Sequence, residues 1–379
     1  MSKHSLLVID DEADYGSINT KNEEDPTSIN KKIRHILSLF SKSAYVAYTA
    51  TPYANVFIDH RAYKEDIGSD LFPKDFIYAL NSPSNYFGAK RVFEEKMRRN
   101  VSYISENEII PLNHKIDFKV KVLPEKMMEA VQVFIINIAV RNLRGYRNTH
   151  NSMLIHSSRF TDVHKQIEKY VNEYVYNLIV KIVDYGKLPL DGAEIQSEEI
   201  RQLKEVYNKK FNLLEFTWDI ILKEICDYSS TGSGNEIKIN INVVGVYSKS
   251  EKELNYLDKA TNVIVIGGAS LSRGYTLEGL SVSYFLRNTI FYDTLMQMGR
   301  WFGYRSGYED LCRIYMTEKK ADEFEEILNV TEDLMFDFKL MSEKGMTPGD
   351  FGLAIEENPD SALQITAKNK LKNARALKK

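Results

Sequence analysis

Four apolar residues, Leu6, Leu7, Val8 and Ile9, run directly into Asp10, Asp11 and Glu12, and after Ala13 comes Asp14. An apolar run that stops abruptly in acids has the look of a buried parallel strand, whose C-terminal end presents side chains to a ligand. Phosphoryl transfer requires one carboxylate near a magnesium ion that bridges the β and γ phosphates, and another group to orient the attacking water. Asp11 and Glu12 suit those two tasks. The same acids read equally well as the first turn of a helix, where they complement the helix dipole.

Further along, apolar residues alternate between the two periods of an α/β chain. Ile29, Ile33, Ile36, Leu37 and Phe40 recur at helical spacing, and Tyr45 to Tyr48 read as a second strand. Pro124 opens a long helix through Met128, Val131, Phe134, Ile135, Ile138 and Ala139 that ends near Gly145; its near-continuous apolarity predicts burial, as a bridge between two domains. Beyond it come a strand at Met153 to His156, an amphipathic helix from Val163 to Ile182 stopped by Gly186, and strands at Ile239 to Val246, Val263 to Ile266, Val282 to Leu286 and Arg313 to Met316. That alternation predicts a doubly wound parallel sheet. The segment after Ala321 reads as helical, ending in a basic tail with Lys368, Lys370, Lys372, Arg375, Lys378 and Lys379, expected to be solvated.

Three more constellations carry polar chemistry. Thr49-Ala50-Thr51-Pro52 follows the second strand, where small hydroxyl residues can bond a carboxylate such as Asp14 across the strand ends. Gly267 to Gly279 follows another strand and combines glycines with Ser270, Ser272 and Thr276, donors suited to phosphate or sugar, although a plain glycine-rich turn would look the same. Gln297-Met298-Gly299-Arg300-Trp301-Phe302-Gly303-Tyr304-Arg305 places two arginines beside glycines; arginine can clamp a γ-phosphate bidentately, or serve as an ordinary ion-pair partner.

In this order the pieces resemble the superfamily-two helicases, with Asp11-Glu12-Ala13-Asp14 similar to motif II (the DEAD motif), Thr49-Ala50-Thr51 to motif III, Ser270 to Thr276 to motif V, and Gln297 to Arg305 to motif VI. A narrower likeness rests on Thr49 to Asn55, Asp70-Leu71-Phe72-Pro73, Tyr86-Phe87-Gly88, Ser152 to Arg159 and Gly299 to Arg305, which together resemble the Z-one (Z1) domain of prokaryotic endonuclease-like proteins. The resemblance covers most of residues 5 to 320. It implies a helicase-like ATPase module of restriction, repair or phage-defence systems, acting on nucleic acid, with DNA as the expected substrate.

It also implies an α/β fold of two RecA-like parallel-sheet lobes, the first incomplete, with helical insertions and a helical C-terminus. The expected division is 1–122 for the first lobe, 123–148 for the bridging helix, 149–320 for the second lobe with an insertion at about 160–228, and 321–379 for the C-terminal segment. Carried over by position, Asp11 holds magnesium through water, Glu12 is the base or water-orienting group, and Arg300 or Arg305 is the finger. Asp14, Thr49, Thr51, Gly274 and Gln297 line the ATP site, while Ser158, Arg159, Ser270, Ser272, Arg273 and Thr276 face nucleic acid. Two features depart from the helicase pattern: Thr276 stands where many helicases place an aspartate, and Arg300 and Arg305 are five residues apart where three is commoner.

No Gly-x-x-x-x-Gly-Lys-[Ser/Thr] occurs, and Gly232-Ser233-Gly234 lacks a following lysine. The resemblance places that loop upstream, so the chain is expected to be a fragment or the product of a split gene. It is expected to hydrolyse ATP negligibly without a P-loop segment or subunit.

Rival readings are a metal-dependent nuclease using Asp227, Glu236 and Lys238, and a non-catalytic interaction module using Lys96, Arg98, Arg99, Arg141, Arg144, Arg147 and the tail. Triplets equivalent to the nuclease pattern recur at Glu94-x-Lys96, Asp117-x-Lys119 and Asp337-x-Lys339, which weakens it. His156 reads more readily as a structural histidine than as a catalytic one. A formal charge of −3 supplies no global basic field, so nucleic-acid contacts must be local. Two distant cysteines, Cys226 and Cys312, support neither a disulfide framework nor a zinc site. With no apolar run of 18 residues and no signal sequence, a soluble cytoplasmic protein without membrane contact is expected.

Overall fold

The computed structural model describes residues 2–94, 98–105, 110–211, 214–229, 240–247, 254, 256, 259–268, 276–287, 289–350, 355, 363–367 and 369–371. In chain order the first elements are β1 (Ser2–Asp11), α1 (Ser28–Ser38), β2 (Phe40–Tyr48), β3 (Tyr63–Lys64), β4 (Gly68–Ser69), β5 (Tyr86–Phe87) and β6 (Val101–Tyr103). Then come α2 (Glu125–Arg141), β7 (Asn151–His156), α3 (Thr161–Tyr185), α4 (Leu190–Gln196), α5 (Glu198–Lys210) and α6 (Trp218–Ser229). The last are β8 (Asn242–Val246), β9 (Asn262–Gly267), β10 (Leu280–Phe285), α7 (Tyr292–Met298), β11 (Gly303–Tyr304), β12 (Arg313–Met316) and α8 (Glu318–Glu343).

The chain divides into two compact units. Unit 1 takes residues Met1–Pro83, Thr289–Gln297 and Glu323–Lys379, and unit 2 takes Ser84–Asn288 and Met298–Asp322. This differs from the expected division. The segment from 84 to 122 and helix α2 both belong to unit 2, because β6 pairs with β12 and α2 packs on β7, β10 and β12. The near-continuous apolarity of α2 therefore reflects burial inside one unit, beneath a sheet and against α5 and α6, rather than a bridge.

Unit 2 is built on a six-stranded, wholly parallel sheet in the order β6-β12-β10-β7-β9-β8. Strands β7, β9 and β10 are buried along their whole length, as parallel strands covered on both faces must be, and this is why they read as unbroken apolar runs rather than alternating ones. The helices end where local chemistry dictates. Gly186 follows α3 and donates its N–H to the Ile182 carbonyl, and Ser197 caps α5 by accepting from the Ile200 N–H. Glu198 and Glu199 in the first turn of α5 and Lys209 and Lys210 in the last complement its dipole. Gly279, at φ 65, turns the chain into β10; a Cβ there would lie 1.8 Å from the His150 carbonyl oxygen, so no side chain fits.

Unit 1 contains a parallel pair, β1 with β2, in which Leu7 faces Ala44 and Ile9 faces Val46. Its core is elsewhere. Tyr53 is fully buried, edge-on to Tyr292 at 6.1 Å between centroids, and shares a 2.6 Å hydrogen bond with the Thr331 hydroxyl. Tyr292 in turn donates to Glu326 at 2.9 Å. Among the described residues no helix is long and apolar enough to cross a membrane.

Candidate functional site

Strand β1 ends as its sequence requires. Asp11 closes β1, Asp11 and Glu12 are both exposed, and Asp11 Oδ1 accepts the Glu12 N–H at 3.0 Å. Glu12 adopts φ 58, left-handed backbone that costs a non-glycine residue roughly 1–2 kcal/mol. Such strain persists where the surrounding fold over-determines it, and it concentrates at functional sites. Here the chain turns sharply off the strand: the Ala13 N–H donates to the Tyr48 carbonyl, and the Tyr15 N–H to the Glu12 carbonyl. Asp10 points to a different task, accepting from the Ser17 and Tyr45 hydroxyls, and that bond together with burial raises the Tyr45 pKa.

Asp14 is the point of convergence. It is 2% exposed, and its Oδ1 accepts the Thr49 hydroxyl at 2.9 Å, the bond anticipated between strand ends. Its Oδ2 accepts Gln297 Nε2 at 2.7 Å, and the same amide lies 3.4 Å from the Thr51 hydroxyl. Thr49 Oγ1 also accepts the Thr51 N–H at 2.9 Å, fixing the loop, and Asn55 holds the Ala13 carbonyl from the other side. Residues from three separate stretches of unit 1 therefore meet on one buried carboxylate, every acceptor of which is answered by a donor.

A second layer was not legible beforehand. Lys370 Nζ donates to the Asp14 backbone carbonyl and to Asp293 Oδ2, each at 3.0 Å, and Asp293 Oδ2 also accepts the Thr366 hydroxyl at 2.8 Å. Lys370 thus departs from the expectation of a solvated tail: its side chain is 14% exposed and pairs with a buried aspartate. Nothing in its sequence neighbourhood signals this, since the pairing spans 77 positions. The other tail residues, Lys368, Lys372, Arg375, Lys378 and Lys379, lie outside the described residues.

The two arginines of the Gln297 to Arg305 stretch differ. Arg305 is 8% exposed and donates to the carbonyls of Arg300, Trp301, Phe302 and Tyr304 at 3.2–3.3 Å, so it staples its own loop. Arg300 is half-buried. The antiparallel β5–β11 pair, with Tyr86 edge-on to Tyr304 at 5.7 Å, braces the same loop within unit 2.

Of the residues assigned to nucleic acid, Ser158 and Arg159 follow β7. Ser158 Oγ lies 2.8 Å from His114 Nε2 and accepts the Phe160 N–H, while Arg159 is exposed and stacks over the Phe160 ring at 4.8 Å. Thr276 is exposed; Ser270, Ser272, Arg273 and Gly274 lie outside the described residues. His156 is buried against Phe285, and burial, with Arg287 nearby, drives its pKa down to about 3, so it is a neutral core residue.

The residues of the rival readings sit in differing surroundings. Arg141 is buried, donating to the His150 carbonyl and the Thr149 hydroxyl and stacking on Tyr308. Arg144 bridges Glu215 and Asp310, Arg147 pairs with Glu224, and Arg98 pairs with Asp322. Arg141 is therefore tied into the interior of unit 2, whereas Arg99 and Arg147 are exposed. Lys96, Glu236 and Lys238 lie outside the described residues. Among the described residues no three His, Cys, Asp or Glu side chains converge as a metal cluster; a magnesium ion held by one carboxylate plus substrate phosphates requires none.

A family model described as the Z1 domain matches residues 126–363. No curated protein and no solved structure matches the chain. The match covers well over half of the sequence and includes every strand of the unit 2 sheet except β6, together with the Gln297 to Arg305 stretch. The chain belongs to the Z1 domain family.

Proposed function

We propose that this chain is a helicase-like, ATP-dependent module acting on nucleic acid, DNA in the first instance, whose nucleotide site is organised by Asp11, Glu12 and Asp14. The observation that carries the reading is the convergence of Thr49 and Gln297 on Asp14, one step beyond two exposed strand-end acids. A buried carboxylate held by a threonine of one loop and a glutamine of a distant helix fixes the turn that aims Asp11 and Glu12 outward. Positioning of this kind is most of what a protein contributes to phosphoryl transfer.

Asp11 would hold magnesium through water, and the ion would supply charge neutralisation at the nucleotide phosphates. Glu12 orients the attacking water and takes its proton on a carboxylate oxygen. Asp14, Thr49, Thr51 and Gln297 keep that pair in register. The acids fit a magnesium nucleotide: they are exposed at the C-terminal end of a parallel strand, and Glu12 is held in strained backbone. The phosphate cradle does not come from this sequence, which has no Gly-x-x-x-x-Gly-Lys-[Ser/Thr], so turnover depends on a P-loop segment or subunit in addition to these residues.

Two measurements test the reading. The chain alone should hydrolyse ATP at background, whereas robust turnover lost on Glu12→Gln would overturn the dependence on a P-loop partner. DNA affinity should fall with salt, with a log–log slope of about −0.7 to −0.9 per phosphate contacted. A flat salt response would favour a protein-binding module instead.

A further inference from the structure

Unit 2 contains a polar cavity of about 210 Å³ lined in part by Asn113, His114, Ser157, Ser158, Arg159 and Arg287. Its position follows from the sheet. β7 and β10 are parallel neighbours, with Phe285 in register with His156, so the residues that follow them, Ser157 to Arg159 and Arg287, emerge side by side at the C-terminal edge. That edge is where parallel sheets bind ligands.

The electrostatics of the cavity are one-sided. Two guanidinium groups line it, and none of the lining residues is acidic. Among the described residues, Arg287 Nε and Nη1 are buried with no hydrogen-bond partner, and so is the hydroxyl of Ser157, a residue 2% exposed. Burial and the neighbouring Arg159 both lower the Arg287 pKa, yet guanidinium stays charged at any physiological pH. An unpaired, desolvated cation and an unanswered buried hydroxyl are costly features that a folded protein rarely keeps without compensation. An anion would answer all of them at once through charge-assisted, fork-shaped hydrogen bonds.

We propose that this cavity binds a phosphomonoester dianion, with Arg287 and Arg159 balancing its two charges and Ser157 donating a further hydrogen bond. A phosphodiester carries a single charge and would have to thread two ester arms through the cavity, so the terminal phosphate is the better match. The proposal goes beyond the motor reading, which asks only for contacts to the backbone of a strand. Two sources present this group: the phosphorylated end of a nucleic-acid strand and a free nucleoside monophosphate.

The test uses the whole chain and pairs of probes that differ only in the phosphate. One arm compares 5′-phosphorylated with 5′-hydroxyl oligonucleotides of a single sequence by fluorescence anisotropy; the other compares AMP with adenosine by calorimetry. A preference of ten-fold or more for the phosphorylated member of either pair supports the proposal, and the arm that shows it identifies the source. Arg287→Met should abolish the preference, and Arg159→Gln, on an exposed side chain, should weaken it without disturbing folding. Arg287→Lys should retain part of it as a point charge. Arg287→Met should also raise the melting temperature of the ligand-free chain while removing any rise produced by the phosphorylated probe. Equal binding within both pairs, or a preference that survives Arg287→Met, overturns the proposal. Because each pair holds the backbone constant, that failure leaves the nucleic-acid reading standing, whereas a flat salt response fails the latter alone.

Discussion

Strands β9 and β1 have nearly interchangeable apolar cores, Val263 to Ile266 in one and Leu6 to Ile9 in the other, yet they live in opposite surroundings. β9 lies between β7 and β8, and every one of its residues is buried. β1 pairs with β2 alone among the described residues, leaving Leu7 58% and Ile9 63% exposed. An apolar run therefore reports what a strand is able to bury, while neighbouring layers decide whether it does. The contrast also separates two sources of order. Unit 2 rests on packing, whereas the strand-end acids of unit 1 are fixed by hydrogen bonds to Asp14 and by a turn that is strained at Glu12.

The contrast can be broken by mutation. Ile264→Ala in β9 should cost about 2–5 kcal/mol in a denaturant melt, the usual range for a filled core site. Ile9→Ala, already in water, should stay within about 0.5 kcal/mol. Equal losses at the two positions would erase the distinction. Between these extremes lies Arg305→Ala, which leaves several loop carbonyls without their donor and should cost roughly 1–3 kcal/mol.

A pH series sharpens the same point for unit 2. Burial holds His156 down at about 3 and His164 at about 4, against an ordinary value of 6.5. Both are neutral when folded and take up protons when unfolded, so stability is full above pH 6.5 and declines as pH falls from there toward 4. Each contributes a slope approaching about 1.4 kcal/mol per pH unit, and His156→Gln should remove roughly half of the decline. An unchanged slope would show that His156 is not buried as described. The smallest effect concerns exchange rates: amides of β9 should exchange near the global unfolding limit and those of β1 well before it, because local opening is cheapest where few apolar contacts must break.

Much of the framework was readable because the signals were local. The apolar period placed α1, α3 and the strands of unit 2 within a few residues, and Pro124 and Gly186 marked helix ends by their own backbone chemistry. The Thr49 to Asp14 bond was foreseeable because both residues follow adjacent parallel strands. What escaped depends on contacts between distant positions. The boundary moved because β6, three residues long, pairs with β12, Val101 lying opposite Ile314. Lys370 and Asp293 meet across 77 residues, and Arg287 gains its meaning from the cavity beside Arg159. Conversely, Arg141 and Arg144 look like surface cations in sequence, and only their carbonyl, aromatic and carboxylate partners show otherwise.

Photo-crosslinking of the chain with an azido analogue of ATP, with labelled peptides mapped by mass spectrometry, addresses the nucleotide site most directly. The label should fall on the peptides bearing Asp11 to Asp14 and Thr49 to Asn55, should require magnesium, and should be lost in Asp11→Asn. Labelling that ignores magnesium and survives Asp11→Asn would contradict the assignment of these acids to a nucleotide.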